Sequence, residues 1–190
     1  MKLFAIPQPG VLGVISILLG MSVPACTYGP PELQITIANH VARRTDQQFA
    51  FAVRFTWVRR PTGLSTFPDG GRWRTLNEAG AVYICDTLSL DVKRLWHADR
   101  PAEIRSAFEP WMGPWTEDGV YFSLRGYRRP GPDRSTLVRH DYLIDSAGRA
   151  NAVADEPPRK PATSQPQTCA SRVLELAREE HLSVIGAPET

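Results

Sequence analysis

The chain reads as a mainly β protein of the α+β kind. The expected architecture is an antiparallel meander, curled sheet or small sandwich of about seven strands, with one C-terminal helix docked on it. Three observations predict this. Phe49 to Val58 alternates large and small side chains at period two, the repeat of a strand burying one face. Short apolar runs recur between turn-forming clusters such as Pro61-Thr62-Gly63, Pro68-Asp69-Gly70-Gly71 and Ser146-Ala147-Gly148, as antiparallel strands require. Past a proline-rich stretch, Ala170, Val173, Leu174, Ala177, His181, Val184 and Ile185 recur at helical spacing, which marks an amphipathic helix.

Leu33-Gln34-Ile35-Thr36-Ile37 predicts the first strand, and Asn39 to Gln48 a polar connection. Phe49, Phe51, Val53, Phe55 and Trp57 then line one face of the strongest strand. Burying each contributes about 1.5–3 kcal/mol, and a slip of one residue would expose all five. Arg72 to Leu76 and Ala81 to Cys85 predict two further strands, with Val92 to Trp96 as the return arm of a hairpin. Asp99, Pro101 and Glu103 carry helix-start chemistry, and Ile104 and Phe108 stand four apart. One or two helical turns are therefore expected there, stopped by Pro110 and Gly113-Pro114. Gly119 to Leu124 is a strand with Val120, Phe122 and Leu124 inward, and Thr136 to Asp145 pairs with Arg149 to Ala154 as a hairpin. Thr168 or Ser171 caps the terminal helix and Gly186 ends it.

The first 26 residues have a different character. Lys2 and the free amine make a positive start, Val11 to Met21 is apolar, and Ser22-Val23-Pro24-Ala25-Cys26 follows. That apolar run is about the length of a signal-peptide core and well short of the ~20 residues that span a bilayer. Val23-Pro24-Ala25-Cys26 resembles the lipobox of bacterial lipoproteins: an aliphatic residue three before the cysteine and a small one just before it. Pro24 stands where alanine or serine is commoner. The resemblance covers these 26 residues only, and it implies cleavage before Cys26 and lipidation of its sulfur. Thr27, rather than aspartate, in the second position implies the outer membrane. Several acyl chains, at about 0.8 kcal/mol per buried methylene, anchor a protein durably.

The expected organisation is a signal peptide at 1–25, a tether at 26–32, an antiparallel β domain at 33–155, a proline-rich linker at 156–168 and a helix at 169–185. With Cys26 acylated, Cys85 and Cys169 remain as an even pair in an oxidising compartment, and a disulfide between them is expected. Of the 22 Lys+Arg residues, Lys2 alone lies in the signal, leaving 21 against 20 Asp+Glu. Such a near-neutral domain lacks the basic excess of a nucleic-acid binder.

No His-Glu-x-x-His, Gly-x-Ser-x-Gly, phosphate-cradling glycine loop or Cys-x-x-Cys occurs. The histidines, His40, His97, His140 and His181, are scattered, so neither a metal site nor a cofactor is expected. His140 and Asp141 are the best acid–base candidates, but strand neighbours face opposite ways. Catalysis would need Asp118, Asp133 or Ser135 from elsewhere. A richer constellation is Trp57, Arg59, Arg60, Arg72, Trp73 and Arg74, with Trp111 and Trp115 in a loop. Guanidinium groups and indoles of this kind grip an envelope protein, a glycan or an anionic ligand; the structural alternative is tryptophan packed under arginine across strands.

The expected protein is thus a bacterial envelope lipoprotein at the periplasmic face of the outer membrane, a non-enzymatic binding or structural accessory held to the membrane by its lipid. The alternatives are a periplasmic hydrolase with a composite site near His140, and an interaction subunit using the C-terminal helix.

Overall fold

The alternation along Phe49–Val58 sets the layering, because both of its faces are covered. The computed structural model describes residues 27–62, 73–128, 136–154 and 165–185. One four-stranded antiparallel sheet has the order β2 (Glu32–Arg43), β3 (Gln48–Arg59), β5 (Arg74–Asp86) and β6 (Val92–Asp99). A second has the order β10 (Ala150–Ala152), β9 (Leu137–Ile144), β8 (Val120–Tyr127) and β7 (Ser106–Trp115). Two short strands, β1 (Thr27–Tyr28) and β4 (Pro61–Thr62), form an antiparallel ribbon, and α1 spans Gln167–Ile185.

The layers run helix, first sheet, second sheet. Phe49, Phe51, Val53 and Phe55, with Ala81 and Tyr83 beside them, bury against Val173 and Ala177 of α1. The opposite face offers Ala42, Ala50, Ala52, Val82 and Ile84 to Phe108, Met112, Val120, Phe122, Leu124 and Ile144 of the second sheet. The expected single buried face is therefore two. Small side chains on the inter-sheet side let aromatic and branched ones from across fill the gap. Gly80 shows how tight the fit is, since a Cβ there would stand 2.7 Å from Leu124 Cδ2. From β6, Trp96 crosses to Phe122 at 5.2 Å and Tyr142 at 4.9 Å between ring centroids.

Several segments depart from expectation. The two strands expected over Arg72 to Leu76 and Ala81 to Cys85 are the single strand β5 in the described residues. Asp99 to Phe108 forms no helix: Ile104 N–H donates to Pro101 O in a single turn, and β7 begins at Ser106. The register shifts between Ser106 and Glu109, and Ala107 adopts a φ of 49°. This bulge turns both Ile104 and Phe108 into the inter-sheet core, so four-residue spacing arises without helix. Pro110 and Pro114 lie inside β7, an edge strand, where a missing N–H costs no ladder bond on the open side. Trp111 and Trp115 are consequently strand residues, not loop residues. Residues 39–43 continue β2 past a register shift between Ile37 and Val41, and Arg44 to Gln47 alone makes the turn.

Within the stretch expected as a tether, Thr27 and Tyr28 are paired. Thr27 lies opposite Thr62 and Tyr28 opposite Pro61, and Gly29 N–H donates to Arg60 O at 2.8 Å. Leader residues 1–26, including Cys26, lie outside the described residues, as do Arg72 and most of the expected linker.

Cys85 and Cys169 form a disulfide with a Cα–Cα distance of 5.8 Å. It clips the first turn of α1 to β5. From there Cys169, Val173, Ala177 and His181 repeat every four residues along the buried seam. Ser171, expected as a cap, sits inside the helix and donates back to Gln167 O at 3.3 Å.

Candidate functional site

Arg60 is where the incoming chain, the end of β3 and the start of β5 meet. Its carbonyl accepts from Gly29, and its Nε donates to Glu32 Oε2 at 3.0 Å. Its guanidinium lies over the Trp73 ring, 4.1 Å from the centroid. The indole nonetheless remains 42% exposed, with Tyr28 at 38% and Leu76 at 41% nearby in the chain ends. Beside this stack, Arg59 and Arg74 stand directly opposite each other in the β3–β5 register, both exposed. Among the described residues neither has an ion-pair partner. Glu32 thus offsets Arg60, while Arg59 and Arg74 stand beside it without a carboxylate among the described residues. Flat cations beside an accessible indole suit phosphate or carboxylate oxygens and planar or sugar surfaces.

A buried clamp stiffens the same end. Glu78, 4% exposed, takes Arg54 on Oε1 and Arg100 on Oε2, the latter at 2.7 Å. Arg100 N–H also donates to Glu78 O at 2.8 Å, tying the chain beyond β6 to β5.

The eight candidate contact residues do not share one surface. Arg59, Arg60, Trp73 and Arg74 meet at this end, and Arg72 lies outside the described residues. Trp57 has the parity of Phe55, so it turns under α1, with its ring 5.6 Å from that of His181. Trp111 lies on the outer face of the second sheet beneath Arg125, 4.1 Å from its guanidinium. Trp115 is 9% exposed, with Arg44 at 5.2 Å. For Trp111 and Trp115 the stacked structural arrangement is what the fold contains.

His140 pairs in register with Leu124, so it faces inward, whereas Asp141 faces outward and accepts from Ser123 and Arg139. The carboxylate beside His140 is Glu103, whose Oε2 is 3.8 Å from Nε2. Asp118 sits in the β7–β8 turn, and Asp133 and Ser135 lie outside the described residues.

A second histidine cluster had no signature in the chain. His97 on β6 and His181 on α1 approach to 5.8 Å between ring centroids, with Phe55 4.0 Å from His181. Burial lowers the pKa of both, and Arg94 beside them pushes the same way. Glu180 accepts from Tyr83 Oη at 2.8 Å and from Arg94 at 3.1 Å, joining helix to sheet. Burial first, then the Glu180 carboxylate, pushes the Tyr83 phenol far up.

Among the described residues no group of three or more His, Cys, Asp or Glu is placed to hold a metal, and no helix is long and apolar enough to cross a membrane. The fold and its exposed end define a disulfide-clipped three-layer α/β/β protein with a basic–aromatic tip. No family model, curated protein or solved structure matches the chain.

Proposed function

We propose that this chain is a bacterial envelope lipoprotein, acylated on Cys26, that works without catalysis as a binding or structural accessory at the periplasmic face of the outer membrane. The supporting observation is the Cys85–Cys169 bridge. Persistent structural disulfides belong to oxidising compartments, which agrees with the export signal read in Met1 to Cys26. It also leaves Cys26 as the one sulfur available for a lipid, since the chain has three cysteines. The same bridge speaks against release of the helix to a partner, because it tethers α1 at its base. The contact surface is the Arg59, Arg74 and Trp73 tip.

Metabolic labelling with a radioactive or alkyne-tagged fatty acid tests this directly. Label should follow the wild-type protein into the outer-membrane fraction and vanish in Cys26→Ala, while Cys85 and Cys169 stay oxidised. An unlabelled, full-length protein with reduced cysteines would sink the reading.

A further inference from the structure

We propose that the basic–aromatic tip lies against the membrane itself, with Arg59 and Arg74 on headgroup phosphates and Trp73 and Tyr28 in the interfacial layer. The long strands of the first sheet then point away from the bilayer. This rests on the acylation of Cys26 and adds what the domain does once anchored.

The first observation is the lack of slack. Cys26 precedes Thr27 by one peptide bond, and Thr27 and Tyr28 are already paired with Thr62 and Pro61. At about 3.5 Å per residue, the single peptide bond between Cys26 and the paired Thr27 gives a lipid on that sulfur little reach away from this end of the sheet. A long unpaired connection would let the domain tumble; pairing at Thr27 and Tyr28 delivers this end of the sheet to the headgroups.

The second is chemical fit. Trp73 and Tyr28 are exposed at 42% and 38%, and these two residue types favour the membrane–water boundary. Arg59 faces Arg74 across the ladder, an arrangement that destabilises a sheet in isolation. An anionic oxygen between the two guanidiniums relieves that repulsion and uses their forked donors.

The third is polarity along the strands. The opposite end of the first sheet holds the β2–β3 and β5–β6 turns, which touch where Thr87 N–H donates to Gln47 O at 2.7 Å. The β7–β8 turn lies beside them, since Thr116 and Glu117 line a shallow depression with Arg44 and Thr45. At that far end Asp46, Asp86, Asp91, Glu117 and Asp118 outnumber Arg43, Arg44 and Lys93, and Arg43 is paired with Asp46. That end lies on the order of 40 Å away at strand rise. An anionic surface therefore favours the near end over the far one.

The test uses full-length acylated protein in vesicles of brominated phosphatidylglycerol, read by tryptophan emission. Bromine should quench wild type, and most of that quenching should disappear in Trp73→Phe. In Leu88→Trp, placed on the far β5–β6 turn, the added emission should respond to aqueous acrylamide and not to bromine. Unacylated Cys26→Ser protein is then sedimented with phosphatidylglycerol vesicles. Binding should weaken about fivefold for each of Arg59→Gln and Arg74→Gln, and be absent on phosphatidylcholine. An intact disulfide and unchanged far-ultraviolet circular dichroism certify the fold of each variant.

The proposal is overturned by a fatty-acid-labelled protein whose Trp73 answers only to acrylamide, or whose Leu88→Trp emission is quenched by bromine. It is also overturned if the arginine variants lose retention on sedimented peptidoglycan while vesicle binding is unchanged. Missing label on Cys26 defeats the anchor alone, because the sedimentation assay reads the tip without it.

Discussion

His181 of α1 sits between Phe55 and His97, its ring 4.0 Å from the first and 5.8 Å from the second. Burial there lowers the pKa of both imidazoles. Desolvation is the largest cause for each; His97 and then Arg94 push His181 further down, and Arg94 does the same to His97. Glu180 pulls both up and Asp99 pulls His97 up, without prevailing.

Acid should therefore loosen the protein at the helix. Each folded pKa lies below the ordinary value near 6.5. Below that value the unfolded chain takes up protons that the folded chain refuses, so stability falls as pH falls. Above it the contribution is complete and flat. Urea midpoints should decline between about pH 7 and about pH 5, and a His97→Phe, His181→Phe double variant should flatten that slope. An unchanged slope in the double variant would contradict the assignment.

Removing the bridge should cost more than any single packing change. It closes a loop with a sequence separation of 84, for which the chain-entropy account gives about 4.5 kcal/mol. Unfolding of Cys85→Ser, Cys169→Ser against wild type measures it. The midpoint should drop steeply, and proteolysis should release α1 first.

Glu78→Ala should be destabilising by about 1–3 kcal/mol, the usual cost of stranding buried polar partners. Arg54 and Arg100 would face each other without the carboxylate between them. Glu78→Gln should recover part of the loss by keeping an acceptor. Thermal melts of the two variants distinguish lost charge from lost hydrogen bonds.

Ala52→Leu tests the inter-sheet spacing. Ala52 has no exposed surface and lies among the residues between the sheets. Overpacking there should cost about 1–3 kcal/mol. Ala42→Ser, at the margin of the same face, should cost less. Denaturant unfolding with an unchanged slope on denaturant concentration would show that only stability has moved.

Strand β3 was legible because its large side chains recur at period two without interruption. Its second buried face was not, since alanine suits a surface and a core equally. The disulfide followed from counting sulfurs, and α1 from its 3.6-residue stripe. Asp99 to Phe108 misled because a bulge at Ala107 brings Ile104 and Phe108 onto one face, as a helix turn would. The tryptophans misled for another reason: which sheet a strand joins is a long-range choice, and Trp111 and Trp73 are recruited to different sheets. His97 and His181 are neighbours only after the helix docks, so nothing local announces them. Arg59 and Arg74 were both in the expected surface for their residue types, but their face-to-face register was visible only in the ladder.

Synthesis runs from the amino end, and the bridge joins its first sulfur to one made 84 residues later. Every strand of both sheets is therefore complete before the ribosome finishes the helix that covers Phe49, Phe51, Val53 and Phe55. Until then those side chains are wet, and Cys85 waits unpartnered beside them. The bridge can close only once the helix segment exists, so its closure follows synthesis of every described strand.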